Sequence, residues 1–205
     1  PLLDGLHKAD TLLSLGDLLM ITGEWDQAEN VGRQALELTE RGGDHIKSAE
    51  CQRLLGALER HRGNYPLALT WLQKSRRGFE ALEDAANLRV VLREIGIVHW
   101  SQGEYRRALR YFRRCMQIAK SLGDIHGMSQ ALGNISIVYI AQDDDRRALR
   151  YAQRGLKLAE ESGDRLGVST FVGNMGTIYQ SLGDYPRALV CFTRYLNLSQ
   201  ELGFR

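Results

Sequence analysis

A single spacing of 40 residues runs through the chain and restricts it to repeat architectures. A three-residue segment, most often Gly, a polar residue and an aromatic residue, recurs five times at this spacing. The segments begin at Gly23, Gly63, Gly103, Asp143 and Gly183. An alanine follows the third residue of each segment three positions later, at Ala28, Ala68, Ala108, Ala148 and Ala188. Regular periods of about 20 to 50 residues are typical of solenoids, in which each repeat packs on its neighbours.

Each half of a repeat carries the pattern of one amphipathic helix. In the segment 105–119 the apolar residues return every three or four positions, so that Ala108, Phe112 and Cys115 share one face. A second break falls midway through the repeats, at Gly43-Asp44, Glu83-Asp84, Gly123-Asp124 and Gly163-Asp164. We expect the glycines to adopt the left-handed conformation that ends one helix, and the aspartates to N-cap the next. The sequence therefore predicts two helices of about 16 to 18 residues in each repeat.

Small residues at one position of every repeat indicate where the two helices approach closely. They are Gly16, Gly56, Gly96, Ser136 and Gly176. Pro66 and Pro186 stand just inside second helices, where a missing N–H costs nothing. The fourth repeat departs most from the pattern, because Asp143, Asp145 and Ala152 replace the glycine, tyrosine and bulky aromatic residue of the fifth repeat. We expect a looser packing contact in that repeat.

The order of these residues resembles the tetratricopeptide repeat. The fifth repeat shows the order most clearly, as Gly176, Tyr179, Gly183, Tyr185, Ala188 and Phe192. The resemblance implies an all-α, right-handed α-solenoid of five tandem helix–turn–helix repeats that form one domain over residues 1–205. The repeats would run over about 4–43, 44–83, 84–123, 124–163 and 164–203. They exceed the usual length of about 34 residues, and are similar to the long-helix form found in cell-polarity adaptors related to LGN and Pins and in bacterial regulators.

Composition narrows the classes of protein further. The chain has no apolar run long enough to span a membrane and no secretion signal, so we expect a cytoplasmic protein. Cys51, Cys115 and Cys191 lie far apart without metal-ligand spacing, and we interpret them as core residues. Because the chain begins with Pro1 rather than Met, we interpret it as a fragment or a processed chain. The net charge is +2, but residues 1–50 hold four Lys or Arg against ten Asp or Glu, so the remainder is basic.

The resemblance also selects candidate binding residues, since the first helix of each tetratricopeptide pair lines a concave groove that holds peptides. Arg53 and Arg93 share one groove position, and Asn134 and Asn174 share the next. A third position is occupied by Arg60, Trp100, Ile140 and Gln180, with His61 beside it. Arginine can hold a carboxylate, asparagine can pair with a peptide backbone, and Trp100 can act as an amphipathic anchor. The alternative for each is a solvated or structural residue, and the set does not match the family's two-carboxylate clamp for chaperone C-termini.

Equivalent arginines in the second helices form another candidate surface. One set is Arg107, Arg147 and Arg187, the next is Arg110 and Arg150, and the third is Arg114, Arg154 and Arg194. We expect these sets to form basic ladders on the outer face, which are most simply solvated but could attract an acidic protein. Nucleic acid is the weakest alternative, because acidic residues lie nearby and no aromatic stacking platform alternates with the arginines.

The sequence favours a binding module over an enzyme. It contains no P-loop, dinucleotide fingerprint, GxSxG, HExxH or EF-hand loop, so we expect no catalysis, no cofactor and no metal site. We expect a protein–protein interaction scaffold that holds a partner peptide or helix in its groove. The alternative is a regulatory or sensor segment of a larger, bacterial signalling or transcription-regulating protein. Leu198, Leu202 and Phe204 would stay partly uncovered, which predicts further repeats in a parent chain or self-association.

Overall fold

The computed structural model describes residues 2–203, with the side chains of residues 7–203, and these residues form ten α-helices and no strand. Each predicted repeat holds two helices. In chain order they are α1 (Leu2–Thr22), α2 (Trp25–Gly42), α3 (His45–His61), α4 (Tyr65–Ala81), α5 (Ala85–Ser101), α6 (Tyr105–Ser121), α7 (Ile125–Ile140), α8 (Asp145–Glu161), α9 (Arg165–Ser181) and α10 (Tyr185–Glu201).

The helices fall into two compact units. Unit 1 spans Pro1–Gln102 and contains α1 to α5, and unit 2 spans Gly103–Arg205 and contains α6 to α10. Within each unit every helix packs on the helices before and after it in the chain, and first helices of successive repeats also touch, as α1 touches α3 and α7 touches α9. This packing confirms the predicted all-α repeat solenoid. The single domain over residues 1–205 stays a prediction.

The turns between repeats have the predicted cap geometry. Asp44, Asp84, Asp124 and Asp164 each accept a hydrogen bond from the backbone N–H three residues later, at 2.9, 3.0, 2.7 and 2.8 Å. The residue before each cap has a positive φ, 70° at Gly43 and 53° at Glu83. Glu83 is therefore one of the two non-glycine residues in the described chain that adopt the left-handed conformation.

Close approach of the two helices of a repeat depends on the small residues, as predicted. A Cβ atom at Gly56 would lie 2.6 Å from Cγ of Leu72, and one at Gly176 would lie 2.7 Å from Cε1 of Phe192. In the fourth repeat the Ser136 hydroxyl occupies this position and donates to the backbone oxygen of Ala148 at 2.9 Å. A larger side chain at these positions would separate the helices or displace the facing residue.

The prediction of looser packing in the fourth repeat is wrong. Ala152 is fully buried although it replaces a bulky residue. The rings of Tyr139 and Tyr151 stack with centroids 5.4 Å apart, and Phe171 of α9 packs directly over Gly155. The fourth repeat thus has close aromatic contacts and a fully buried alanine where looser packing was expected.

The cysteines lie largely where the sequence places them. Cys51 and Cys115 are buried, and Cys191 is half-buried. Burial raises the pKa of the Cys51 thiol to about 11, because the apolar surroundings disfavour the thiolate. The Cys51 side chain is therefore a core residue without nucleophilic character at neutral pH. No helix in the described residues is both long and apolar enough to cross a membrane.

Candidate functional site

In unit 1 the candidate arginines converge on one buried carboxylate of the chain itself. Glu94 of α5 is 5% exposed. Its Oε2 accepts a hydrogen bond from Nε of Arg60 at 3.0 Å, and its Oε1 accepts one from Nη2 of Arg93 at 3.0 Å. The structure thus joins two groove candidates from consecutive repeats through an internal acid. A carboxylate ligand would have to compete with Glu94 for both guanidinium groups.

Arg53, the third candidate arginine of unit 1, also faces an acidic side chain. Its Nη2 lies 3.5 Å from Oδ1 of Asp17 in α1. Lys47, earlier on the same helix as Arg53, pairs with Asp10 and Glu50 at 3.0 and 3.2 Å. The first helices of unit 1 therefore present charges that are already balanced inside the chain.

His61 and Trp100 lie at the ends of α3 and α5. Nε2 of His61 is 2.9 Å from Nη2 of Arg60. Burial, and then the positive charge of Arg60, lower the pKa of His61. His61 is consequently neutral at pH 7 and accepts the hydrogen bond from Arg60. Trp100 is 37% exposed, so part of its indole is accessible for contact.

A second ion-pair cluster in unit 1 was not foreseen from the sequence. Arg62 donates through Nη1 to Oε2 of Glu29 at 2.5 Å and through Nη2 to Oδ1 of Asp26 at 2.5 Å. It also reaches Oε1 of the buried Glu59 at 3.3 Å, whose Oε2 accepts from Nδ2 of Asn64 at 3.0 Å. The sequence contains one hint of this cluster, because Glu59 places an acid at a position that later repeats fill with His99, Tyr139 and Tyr179.

In unit 2 the equivalent first-helix positions are neutral and small. The dipeptide Gly-Asn occurs on α7 as Gly133-Asn134 and again, 40 residues later, on α9 as Gly173-Asn174. Both asparagines are half-buried. The glycines of these dipeptides were overlooked from the sequence, although their repetition at the 40-residue spacing is visible there. The glycines make room for aromatic rings of the same unit, because a Cβ at Gly133 would lie 3.3 Å from Cζ of Phe171 and one at Gly173 would lie 3.1 Å from Cδ2 of Tyr195.

The register of the repeats shows how the two units differ. Glu94 of α5 stands 40 residues before Asn134, and Arg93 stands 40 residues before Gly133. The same two positions are therefore Arg-Leu in α3, Arg-Glu in α5, and Gly-Asn in α7 and α9. Gln180 is exposed near the end of α9.

Asn174 contains an orphaned polar atom. Its Nδ2 is buried and has no hydrogen-bond partner among the residues that the structure describes. Leaving a buried donor without an acceptor costs about 1–3 kcal/mol. Helix interiors also disfavour asparagine, because its side chain competes for backbone hydrogen bonds. Because Nδ2 is itself inaccessible, an external acceptor would remove this cost only after the half-buried carboxamide rotates towards its accessible side.

In the first predicted ladder each arginine pairs with the acidic residue three positions before it. The ladder consists of Arg107, Arg147 and Arg187. Arg107 pairs with Glu104 at 2.9 Å, while Arg147 and Arg187 pair with the helix-capping Asp144 and Asp184. The guanidinium carbon of Arg147 lies 4.7 Å from the ring centroid of Tyr139, and that of Arg187 lies 4.6 Å from the ring of Tyr179. The hydrogen bonds from Arg147 and Arg187 hold the pKa values of Asp144 and Asp184 below their ordinary value. These arginines are anchored to the start of the second helices.

The third predicted ladder is less constrained. Arg194 pairs with Glu160 at 2.8 Å, and Arg114 approaches the side chain of Gln117 at 3.4 Å. Arg154 is exposed. The described residues contain no group of three or more His, Cys, Asp or Glu that could hold a metal ion.

The last helix exposes much of its apolar surface. Leu189, Val190 and Leu196 are 68%, 68% and 56% exposed. Leu198 and Leu202 are half-buried, and Phe204 lies outside the described residues. Self-association through this helix stays a prediction.

Sequence and structure comparisons place the chain among repeat proteins. The family model described as Tetratricopeptide repeat matches residues 8–81, 52–121, 84–161 and 127–201. BtubC (BKLC) from P. vanneervenii is similar in structure over 96% of this chain and 81% of that chain, with a TM-score of 0.80 and 19% identity. No curated protein sequence matches the chain significantly.

Two further solved structures share the fold. The apo form of the quorum sensor NprR from B. thuringiensis has a TM-score of 0.80 and 16% identity, over 96% of this chain and 55% of that one. The Rap conjugation gene regulator of the plasmid pLS20, in complex with the Phr* peptide, has a TM-score of 0.82 and 15% identity over 98% and 55%. This chain thus spans about half the length of both proteins.

Proposed function

The chain belongs to the tetratricopeptide repeat family, and we propose that it is a protein-interaction scaffold that binds a peptide on the first helices of its repeats. The contacts that hold the ligand are the carboxamides of Asn134 and Asn174. Each carboxamide can donate through Nδ2 to a peptide carbonyl and accept through Oδ1 from a peptide N–H. The two carboxamides therefore form hydrogen bonds with the backbone of the ligand rather than with its side chains.

The observation that carries this proposal is the unpartnered Nδ2 of Asn174. A donor that is buried without an acceptor destabilises the fold. Rotation of the half-buried carboxamide towards its accessible side would let a peptide carbonyl satisfy this donor. Asn134 repeats the same residue one repeat earlier.

The charged cluster of unit 1 indicates that a carboxylate of the ligand is not the main group that the protein recognises. Arg60 and Arg93 already hold Glu94, and Arg53 already faces Asp17. Displacing Glu94 would leave a buried charge without a partner, which costs several kcal/mol. We infer that these arginines organise the first helices of unit 1, where Trp100 offers a separate, partly exposed apolar surface.

A regulatory segment of a larger signalling protein is the second candidate function. Two structures with this fold are named a quorum sensor and a gene regulator, and this chain spans about half of each. The Rap regulator was solved with a peptide, which supports peptide capture in either role. In this role the peptide-bound state of the repeats would be transmitted to an attached domain.

The test is selection of ligands from a phage-displayed library of random peptides of about 12 residues, followed by affinity measurement with the wild-type chain. We expect the double variant Asn134→Ala/Asn174→Ala to weaken binding of the selected peptide by about tenfold to a hundredfold, as loss of two buried hydrogen bonds predicts. The matched control is Asn30→Ala/Asn197→Ala, which removes two carboxamides from second helices. Equal binding by wild type and the Asn134/Asn174 variant would overturn the proposal.

A further inference from the structure

Two second helices of unit 2 carry unbroken stripes of arginine. On α6 the stripe is Arg106, Arg110 and Arg114, and on α8 it is Arg146, Arg150 and Arg154. Residues spaced by four lie above one another on one face of a helix, so each stripe covers two turns, or about 12 Å. All six side chains are exposed.

The stripes have almost no partners inside the protein. Arg106, Arg110, Arg146 and Arg154 make no hydrogen bond or ion pair with any residue that the structure describes, and Arg150 acts on Asp144 through its charge alone. Arg114 has only its 3.4 Å contact with Gln117. The helix α6 contains no Asp or Glu at all. Like charges one turn apart destabilise a helix, and here no acid offsets them.

The acids nearest to the stripe on α8 are occupied elsewhere. Asp145 accepts from the Ser181 hydroxyl at 2.7 Å, and Glu160 pairs with Arg194 at 2.8 Å. Glu161 lies 3.8 Å from Lys157. The neighbouring Arg147 pairs with Asp144, so the chain pairs the arginine beside the stripe but leaves the stripe itself unpaired.

The repeat does not require arginine at these positions. The equivalent residues are Asp26, Asn30 and Gln34 in α2, Pro66, Thr70 and Lys74 in α4, and Pro186, Val190 and Arg194 in α10. Only α6 and α8 hold three cations, so the stripes are a local feature of unit 2 and not a condition of the fold.

We propose that the two stripes form a docking surface for an acidic helix of a partner protein, with Glu or Asp at four-residue spacing. Carboxylates at this spacing match the guanidinium groups turn by turn, and each pair can form bidentate hydrogen bonds. The surface lies on second helices, so the inference goes beyond the peptide binding proposed for the first helices.

Charge distribution favours an acidic protein over a nucleic acid. Acidic residues stand at both ends of the α8 stripe, as residues 143–145 and as Glu160 and Glu161, and would repel a long polyanion that continued past it. The tyrosines nearest to the stripes, Tyr111 and Tyr151, are half-buried and offer no open stacking platform. A short acidic segment fits between the flanking carboxylates.

The experiment measures binding of a synthetic alanine-rich helical peptide with Glu at every fourth position, by fluorescence anisotropy at about 50 mM and 300 mM salt. We expect it to bind about tenfold more tightly than the same peptide with Gln, and the difference to shrink at high salt. The variant Arg146→Gln/Arg150→Gln/Arg154→Gln should weaken binding by about tenfold.

The control variant removes the same number of charges outside the stripes, as Lys8→Gln, Arg41→Gln and Lys120→Gln. It should change binding of the Glu peptide by less than about twofold, because the three removed charges lie outside the stripes, whereas attraction that depended only on net charge would fall equally in both variants. Equal loss in the control and stripe variants would overturn the proposal. Tighter binding of a single-stranded or duplex oligonucleotide of about 12 nucleotides than of the Glu peptide would overturn it as well. Circular dichroism of each variant establishes that the fold is retained.

Discussion

At the scale of single residues, Asn174 combines a position that disfavours asparagine with a buried amide nitrogen that has no acceptor. We predict that Asn174→Ala raises the free energy of unfolding by about 1 kcal/mol, because it removes the unsatisfied donor and improves helix propensity. Urea denaturation measures this change. The exposed Asn197 provides the control, since Asn197→Ala gains only the propensity part. A loss of stability in Asn174→Ala would contradict the account and would indicate an internal hydrogen bond.

A second prediction at the scale of single residues concerns Glu29 and the dependence of stability on pH. Hydrogen bonds from Arg62 and then Arg33 hold its pKa below the ordinary value of 4.5. Protonation is therefore harder in the folded protein than in the unfolded chain, and the stabilisation is present above pH 4.5 and lost as pH falls through the folded pKa. We predict a shallower acid loss of stability in Glu29→Gln than in wild type, measured by urea denaturation between about pH 5 and 3. Glu37→Gln, which removes an exposed partner of Arg41, should leave the slope unchanged.

Residue identities in the candidate site were readable from the sequence, but their partners were not. The 40-residue register alone places Asn134 and Asn174 at one position. It does not reveal that Arg60 and Arg93 both bind Glu94, because a long side chain can reach several neighbours and packing decides among them.

At the scale of helices, the contact between α3 and α4 depends on the absence of a Cβ at Gly56. We predict that Gly56→Ala destabilises the protein by about 1–3 kcal/mol, because the methyl group overlaps Leu72 by more than the helix propensity of alanine compensates. Thermal and urea unfolding measure the effect. Gly5→Ala is the control, since a Cβ there would meet no described side chain and no backbone of another helix within 4 Å. Unchanged stability in Gly56→Ala would mean that the helices separate at no cost.

The ends of the helices could be predicted from the sequence more accurately than the packing between helices. The Gly-Asp pairs predict both a helix end and the N-cap of the next helix, since each depends on adjacent residues only. The fourth repeat shows the limit, because its packing includes residues distant in the sequence, such as Phe171 over Gly155.

At the scale of the whole molecule, the period predicts the stacking of repeats but not what covers α10. Leu196 is exposed, whereas its equivalent Leu36 in α2 is buried beneath the following repeat. We predict that the chain self-associates through this helix at concentrations of about 1 mM, because burying apolar surface of this size is favourable. Light scattering should give a mass above 23.2 kDa for wild type and a monomer for Leu196→Lys. A strictly monomeric wild type would contradict this prediction.

The central claim, that Asn134 and Asn174 hold a peptide backbone, is tested most directly by NMR of their side-chain amides. The two ¹⁵N–¹H₂ pairs are assigned by their absence from the spectra of Asn134→Ala and Asn174→Ala. When the selected peptide is added to saturation, we predict that both pairs shift downfield, as new hydrogen bonds require. Saturation of the protein by the peptide while both amide pairs keep their free-state shifts would contradict the account.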